Sequence, residues 1–191
     1  VKIYHHSKLA EQQTTPWKNG GGETTQLAIY PRHSSIEKGD FFWRVGRAKI
    51  QQTGPFSQFK GYMRGIVQLT GEPVKLGEKK LHLFEPYIFS GDTILPCELN
   101  GKEATDLNMM VNRAWGDFKV SVYQIEKGKK LARYADYVCY YIHDGEAKVK
   151  VEVEDKQIKK GELIVLQEET QIEAVTDLNL VVIELTESKR L

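Results

Sequence analysis

Apolar and polar positions alternate over short stretches along nearly the whole chain. TQLAIY (25–30), FFWRVGRAKI (41–50), GIVQLTG (65–71), KLHLFE (80–85), TDLNMMVNR (105–113) and FKVSVYQIE (118–126) are rich in β-branched and aromatic residues. So are DYVCYYIH (136–143), AKVKVEVE (147–154), ELIVLQ (162–167), QIEAV (171–175) and LNLVVIELT (178–186). Runs of this length, recurring roughly every 8–12 residues between turn formers, predict an all-β sandwich or barrel. Helical periodicity is nearly absent; only KLAEQQ near the start and KKLAR near 129–133 are expected to form short helical turns.

The order of the strands contains a repeat. GIVQLTGEPVKL is echoed by YYIHDGEAKVKV: an apolar strand, then Gly-Glu (71–72 and 145–146), then a second strand. Each copy reaches a Gly-acid turn, Gly91-Asp92 and Gly161-Glu162, before another apolar strand. The skeleton resembles that of the cupin barrel. It predicts two jelly-roll (double-stranded β-helix) barrels, a bicupin, with domains at 1–116 and 117–191.

Aligned on Gly71, the cupin metal-ligand positions fall on Ser57, Phe59 and Arg64, and beyond Gly91 on Ile94. In the second copy they fall on Val138 and Ile164. A transition-metal site needs several N, O or S ligands converging at bonding distance, so neither a metal nor another cofactor is expected. His5, His6, His33, His82 and His143 share no metal-ligand spacing. The register instead turns Arg64 into a barrel, where an unpaired guanidinium is costly to bury. Its partner is either a bound carboxylate or Asp106.

The charges barely alter this picture. With 27 basic and 26 acidic residues, no net field recruits nucleic acid. No stretch is long and apolar enough for a membrane helix, and VKIYHHSKLAEQQ lacks the apolar core of a secretory signal, so a cytoplasmic protein is expected. Cys97 and Cys139 lie in no CxxC motif and read as buried thiols. The oddest segment is PWKNGGGETTQ (16–26), whose three glycines precede a strand. They fit neither a phosphate loop nor a dinucleotide loop, and suggest a site or a close crossing.

Taken together, PWKNGGGETTQLAIYP (16–31), FFWRVGRAKIQQTGPFSQFKGYMRGIVQLTG (41–71), PYIFSGD (86–92) and TDLNMMVNR (105–113) resemble the HutD/Ves family of bicupin-like proteins. The resemblance covers most of residues 14–113; the last third matches in β pattern only. It implies a metal-free cytoplasmic bicupin associated with histidine utilisation. The ligand positions it implies are Lys18, Asn19, Gly20, Gly21, Gly22, Thr24, Arg44, Ser57, Phe59, Arg64, Asp106 and Asn108. Two arginines and a lysine favour an anion and aromatic faces pack a planar body, so the expected ligand is a small planar carboxylate such as urocanate or a formylglutamate-like acid.

A regulator or sensor of such an acid is the leading expectation. Two alternatives stay open. One is a cofactor-free isomerase or hydrolase using Asp106 or Glu23 as general base and Arg64 as oxyanion stabiliser. The other is a protein-interaction module or stress-induced protein, presenting a strand edge to a partner or to a second copy in a homodimer.

Overall fold

A computed structural model describes residues 2–151 and 154–188. Glu152 and Val153, at the end of the AKVKVEVE run, lie outside the described residues. The chain forms two compact units, Gln13–Trp115 and a second made of Val1–Gln12 with Gly116–Leu191. The first strand, β1 (Lys2–Ser7), is followed by one 3-10 turn at Leu9–Glu11, where the sequence predicts a helical turn.

The Gln13–Trp115 unit holds β2 (Thr14–Pro16), β3 (Gly22–Tyr30), β4 (Trp43–Ile50), β5 (Gly54–Pro55) and β6 (Tyr62–Thr70). It continues with β7 (Lys75–Leu76), β8 (Lys79–Lys80), β9 (Pro86–Ser90), β10 (Pro96–Glu98) and β11 (Ala104–Asn112). One sheet runs β2-β3-β4-β11-β6-β9 and a smaller one β5-β10-β7-β8. Ile50, Ile66, Val74, Leu76, Leu81, Phe89, Cys97 and Ala104 form one buried cluster drawn from both sheets. The KLHLFE segment is mostly not strand: after Lys80 the chain loops, Phe84 takes a left-handed φ of 62°, and its N–H donates to the Gln68 carbonyl.

The other unit holds β12 (Gly116–Ile125), β13 (Lys130–Asp144), β14 (Glu146–Val151), β15 (Glu154–Lys159), β16 (Leu163–Ala174) and β17 (Leu178–Glu187). Their order is β12-β17-β13-β16-β14-β15, and β1 adds to β16. β16 has two halves: Leu163–Gln167 pairs β1, while Ile172–Ala174 pairs β14. Between them Glu168 takes a φ of 64°, opposite a bulge between Ala135 and Val138 of β13. Such irregularities bend long strands around the corner of a barrel. The interior is largely apolar: Val138, Tyr140, Ile142, Ile158, Ile164, Leu166, Ile172, Leu180 and Val182 are buried together, and the Tyr140 hydroxyl is bonded to that of the buried Thr170.

Two expectations are corrected here. KKLAR is not a helical turn but the start of β13, because Leu131 and Arg133 pair Ile172 and Thr170 of β16 and Leu131 packs on the core. The first residues do not go with residues 13–116. β1 pairs β16 from Lys2↔Gln167 to Ser7↔Leu163, Ile3 packs on that unit's core, and His6 Nε2 donates to Glu162 Oε2 at 3.0 Å.

Candidate functional site

The site grows from the three central strands of the Gln13–Trp115 unit. β11 lies between β4 and β6, with Met110 opposite both Arg44 and Arg64, Asn108 opposite Gly46 and Ile66, and Asp106 opposite Ala48 and Gln68. Alternate residues of a strand share a face, so Arg44, Arg64, Asp106 and Asn108 share one. β3 extends that face with Thr24 opposite Ala48 and Gln26 opposite Gly46.

Arg64 is only 8 % exposed. Its guanidinium carbon lies 5.4, 5.4 and 5.2 Å from the ring centres of Phe56, Phe59 and Phe89, a cation–π enclosure on three sides. Nη1 donates to the Ser57 carbonyl at 2.9 Å, while the buried Nε has no partner. Arg44 is 7 % exposed, and its Nε donates to Gln26 Oε1 at 2.9 Å. Among the described residues no carboxylate stands within ion-pair distance of either guanidinium. Burial lowers both arginines to about 10, far enough above neutrality to keep them charged. Gly46 gives Arg44 its room: a Cβ there would lie 3.1 Å from the Thr24 methyl and 3.7 Å from Arg44 Nη1.

Asp106, 2 % exposed, is pushed up to about 7 by burial, against the opposing effects of Asn108 and Arg64. Asn108 Nδ2 donates to Oδ1 at 3.1 Å, and Oδ2 is buried without a partner. Asp106 ion-pairs with neither Arg64 nor Arg113; Arg113 instead holds Asp92, which also accepts from the Gly61 N–H at 2.7 Å.

The glycine-rich segment borders this cluster, with backbone groups spent on its own turn and on residues 51–52, whose N–H groups donate to the Gly21 carbonyl. Gly20 N–H donates to the Trp17 carbonyl, Gly21 N–H to Asn19 Oδ1, and Trp17 N–H to the Gly22 carbonyl. Gly22 is a close crossing, since a Cβ would lie 2.3 Å from the Lys49 carbonyl. Trp17 Nε1 donates to Thr24 Oγ1 at 2.8 Å, and its ring meets Phe56 edge to face. A cavity of about 220 Å³ lies between this segment and residues 52–56, lined also by Ile50 and Cys97. It borders the cluster at Phe56, which is part of the Arg64 enclosure; burial, and after it the charges of Asp106 and Glu98, push the thiol of its Cys97 up to about 12.

Of the residues expected from the sequence, the fold brings Thr24, Arg44, Phe59, Arg64, Asp106 and Asn108 together. Ser57 contributes its carbonyl. Lys18 is exposed; together with Arg44 it adds to the hydrogen bonds from the backbone and Ser35 that hold the Glu37 carboxyl below its usual range. Glu23, a candidate base, is excluded from the cluster by strand parity: it pairs Lys49 and lines a different, polar hollow with Thr25, Arg47 and Thr105. Gln26, Phe56 and Phe89 belong to the site and were not expected there. Gln26 was readable as two residues beyond Thr24 on the same face; Phe89 sits within PYIFSGD, opposite Arg64. Among the described residues no three His, Cys, Asp or Glu side chains gather as metal ligands, and no helix is long and apolar enough to cross a membrane.

Two β-barrels in one chain, with the position of a cupin carboxylate ligand taken by a buried arginine, define a bicupin of unusual site chemistry. The chain belongs to the HutD family, whose model matches residues 9–182. A relative from Pseudomonas putida, described as an uncharacterized 21.2 kDa protein in the hutC 3′ region, is 36 % identical over 100 residues; the match spans about half of each chain. Among solved structures, PA5104 of Pseudomonas aeruginosa PAO1, a conserved protein of unknown function, superposes with a TM-score of 0.84 at 20 % identity, covering 96 % of this chain and 98 % of that one. HutD from Pseudomonas fluorescens SBW25, solved in a formate condition, gives 0.76 at 21 % identity with the same coverage. The fold extends to Lactobacillus farciminis oxalate decarboxylase, at 0.71 and 7 % identity over all of this chain and 87 % of that one.

Proposed function

We propose that the chain binds a small planar carboxylate in its Gln13–Trp115 barrel and serves histidine utilisation as a sensor or regulator of such an acid. The observation that carries this reading is the pair of buried guanidiniums, Arg44 and Arg64, on one sheet face without a carboxylate at ion-pair distance among the described residues. Leaving buried charge uncompensated costs several kcal/mol in a protein interior, and a carboxylate received by such a pair recovers much of it. The three phenyl rings around Arg64 suit a flat ligand body. The hutC neighbourhood of the Pseudomonas putida relative supports urocanate or a formylglutamate-like acid as the first ligands to test.

The test is thermal unfolding with urocanate, formylglutamate, histidine and formate at matched pH and salt, for the native chain and Arg64→Ala. A ligand at 100 times its Kd adds about 2.7 kcal/mol, a shift on the order of 5–10 °C for a chain of this size. A shift confined to carboxylates and lost in Arg64→Ala supports the reading. No shift with any of them transfers the weight to a protein partner.

A second reading has its own observation, the Asp106 carboxyl raised to about 7, where a general acid or base works best. It describes a cofactor-free isomerase or hydrolase with Asp106 moving the proton and Arg64 stabilising an oxyanion. Turnover of any of these acids by the purified chain, abolished by Asp106→Asn, would establish it over the sensor.

A further inference from the structure

Two buried polar atoms of the cluster lack a partner among the described residues, and they are of opposite kind. Arg64 Nε is a donor with nothing to donate to; Asp106 Oδ2 is an acceptor with nothing to accept from. They do not satisfy each other, because Asp106 stands four residues along β11 from the position opposite Arg64, about 13 Å at the ordinary strand rise. Buried polar atoms in native structures nearly always have partners, so each such exception calls for its own explanation. We infer that the ligand is bifunctional: its carboxylate is received by Arg64, and at its other end an N–H or O–H donates to Asp106 Oδ2. The inference rests on the carboxylate-binding reading above and narrows its ligand class.

Two further features agree with it. Asn108 already donates to Oδ1, so an incoming donor finds the other oxygen open. The ligand carboxylate, and Asp106 once the donor has drawn it into its ionised form, bring negative charge to the two guanidiniums, of which, among the described residues, Arg44 otherwise feels only Glu37 and Arg64 only Asp106.

The experiment is calorimetric titration of the native chain with urocanate, which has a ring N–H, and with 3-(2-furyl)acrylate, a carboxylate of the same shape that has none. It is repeated on Asp106→Ala and on the isosteric Asp106→Asn. The native chain is expected to prefer urocanate by about tenfold or more, the worth of one hydrogen bond to a charged group. That preference should fall within about twofold in Asp106→Ala. Titration of the native chain at pH 6 in two buffers of different ionisation enthalpy should show, beyond the protons exchanged by the urocanate ring itself, a proton released from Asp106 that is missing with the furan acid and in Asp106→Asn. Equal affinity of the native chain for the two acids, or a preference unchanged in Asp106→Ala, overturns this inference and leaves the carboxylate-binding reading standing. Binding of neither acid overturns both.

Discussion

Arg44 and Arg64 stand on opposite sides of Met110, one on β4 and the other on β6, both buried and both, among the described residues, without a carboxylate at ion-pair distance. Their surroundings differ. Arg44 hydrogen-bonds Gln26, whereas Arg64 is enclosed by three phenyl rings and bonds a carbonyl. Desolvation costs each ion several kcal/mol, and each desolvated cation–π contact returns about 2. Arg44→Met is therefore expected to raise the stability of the ligand-free protein by about 1–2 kcal/mol, while Arg64→Met stays near neutral. Both should lose stabilisation by carboxylates. Chemical denaturation of the two variants with and without urocanate checks the contrast, and a strongly destabilised Arg44→Met would refute it.

Asp106 supplies a pH dependence of definite sign. Its folded-state value of about 7 lies above the ordinary carboxylate value of 3.8, so in this range the folded protein holds more protons than the unfolded chain. Its contribution is favourable at low pH and is lost as pH rises from about 4 through 7. Asp106→Asn removes the buried charge, and should raise stability at pH 8 by up to about 4 kcal/mol. The gain should shrink toward nothing near pH 4. The difference in Tm between variant and native chain, followed across that range, gives the answer; a constant difference would contradict it.

The strands were largely legible because period-2 alternation is a local property, and so was the inward turn of Arg64. What escaped required tertiary information. KKLAR reads as a helical turn in isolation, but pairing with β16 makes it strand. The destination of residues 2–7 depended on a partner more than 150 positions away, which the local pattern does not encode. The rings around Arg64 come from the 56–59 segment and from β9, so their convergence was not visible in sequence. Glu23 is different: its position next to Thr24 already excluded it from the inward face, and parity alone could have removed it.

The glycine-rich segment separates steric from conformational need. Gly22 faces the Lys49 carbonyl at 2.3 Å from its would-be Cβ, where both sides are backbone and neither can yield. Gly20 has open space around it and a φ of 72°, so a side chain there meets only left-handed strain. Gly20→Ala should cost about 1–2 kcal/mol, and Gly22→Ala more, on the order of 3 or above. Denaturant midpoints of the two variants rank them, and a Gly22→Ala protein as stable as Gly20→Ala would remove the crossing from its structural role.

In the other unit, acid acts in the opposite direction. The His6 ring is nearly buried, Nε2 donates to Glu162, and burial holds the imidazole below its usual range despite the raising effect of that carboxylate. Lys156 and Lys8 add to the lowering. The unfolded chain thus takes up a proton more readily than the folded one, so the contribution of His6 is present above about 6.5 and is lost as pH falls below it. His143, also lowered by burial and by Lys160, adds to the loss. Between pH 7 and 5 the unit containing β1 should weaken while the unit containing Asp106 strengthens. Scanning calorimetry at those two pH values should show the two contributions moving apart. His6→Gln, which keeps a donor for Glu162 without the titration, should flatten the first trend and leave the second, whereas Asp106→Asn should do the reverse. Equal acid sensitivity of the native chain and His6→Gln would show that the contact between β1 and β16 does not titrate through this histidine.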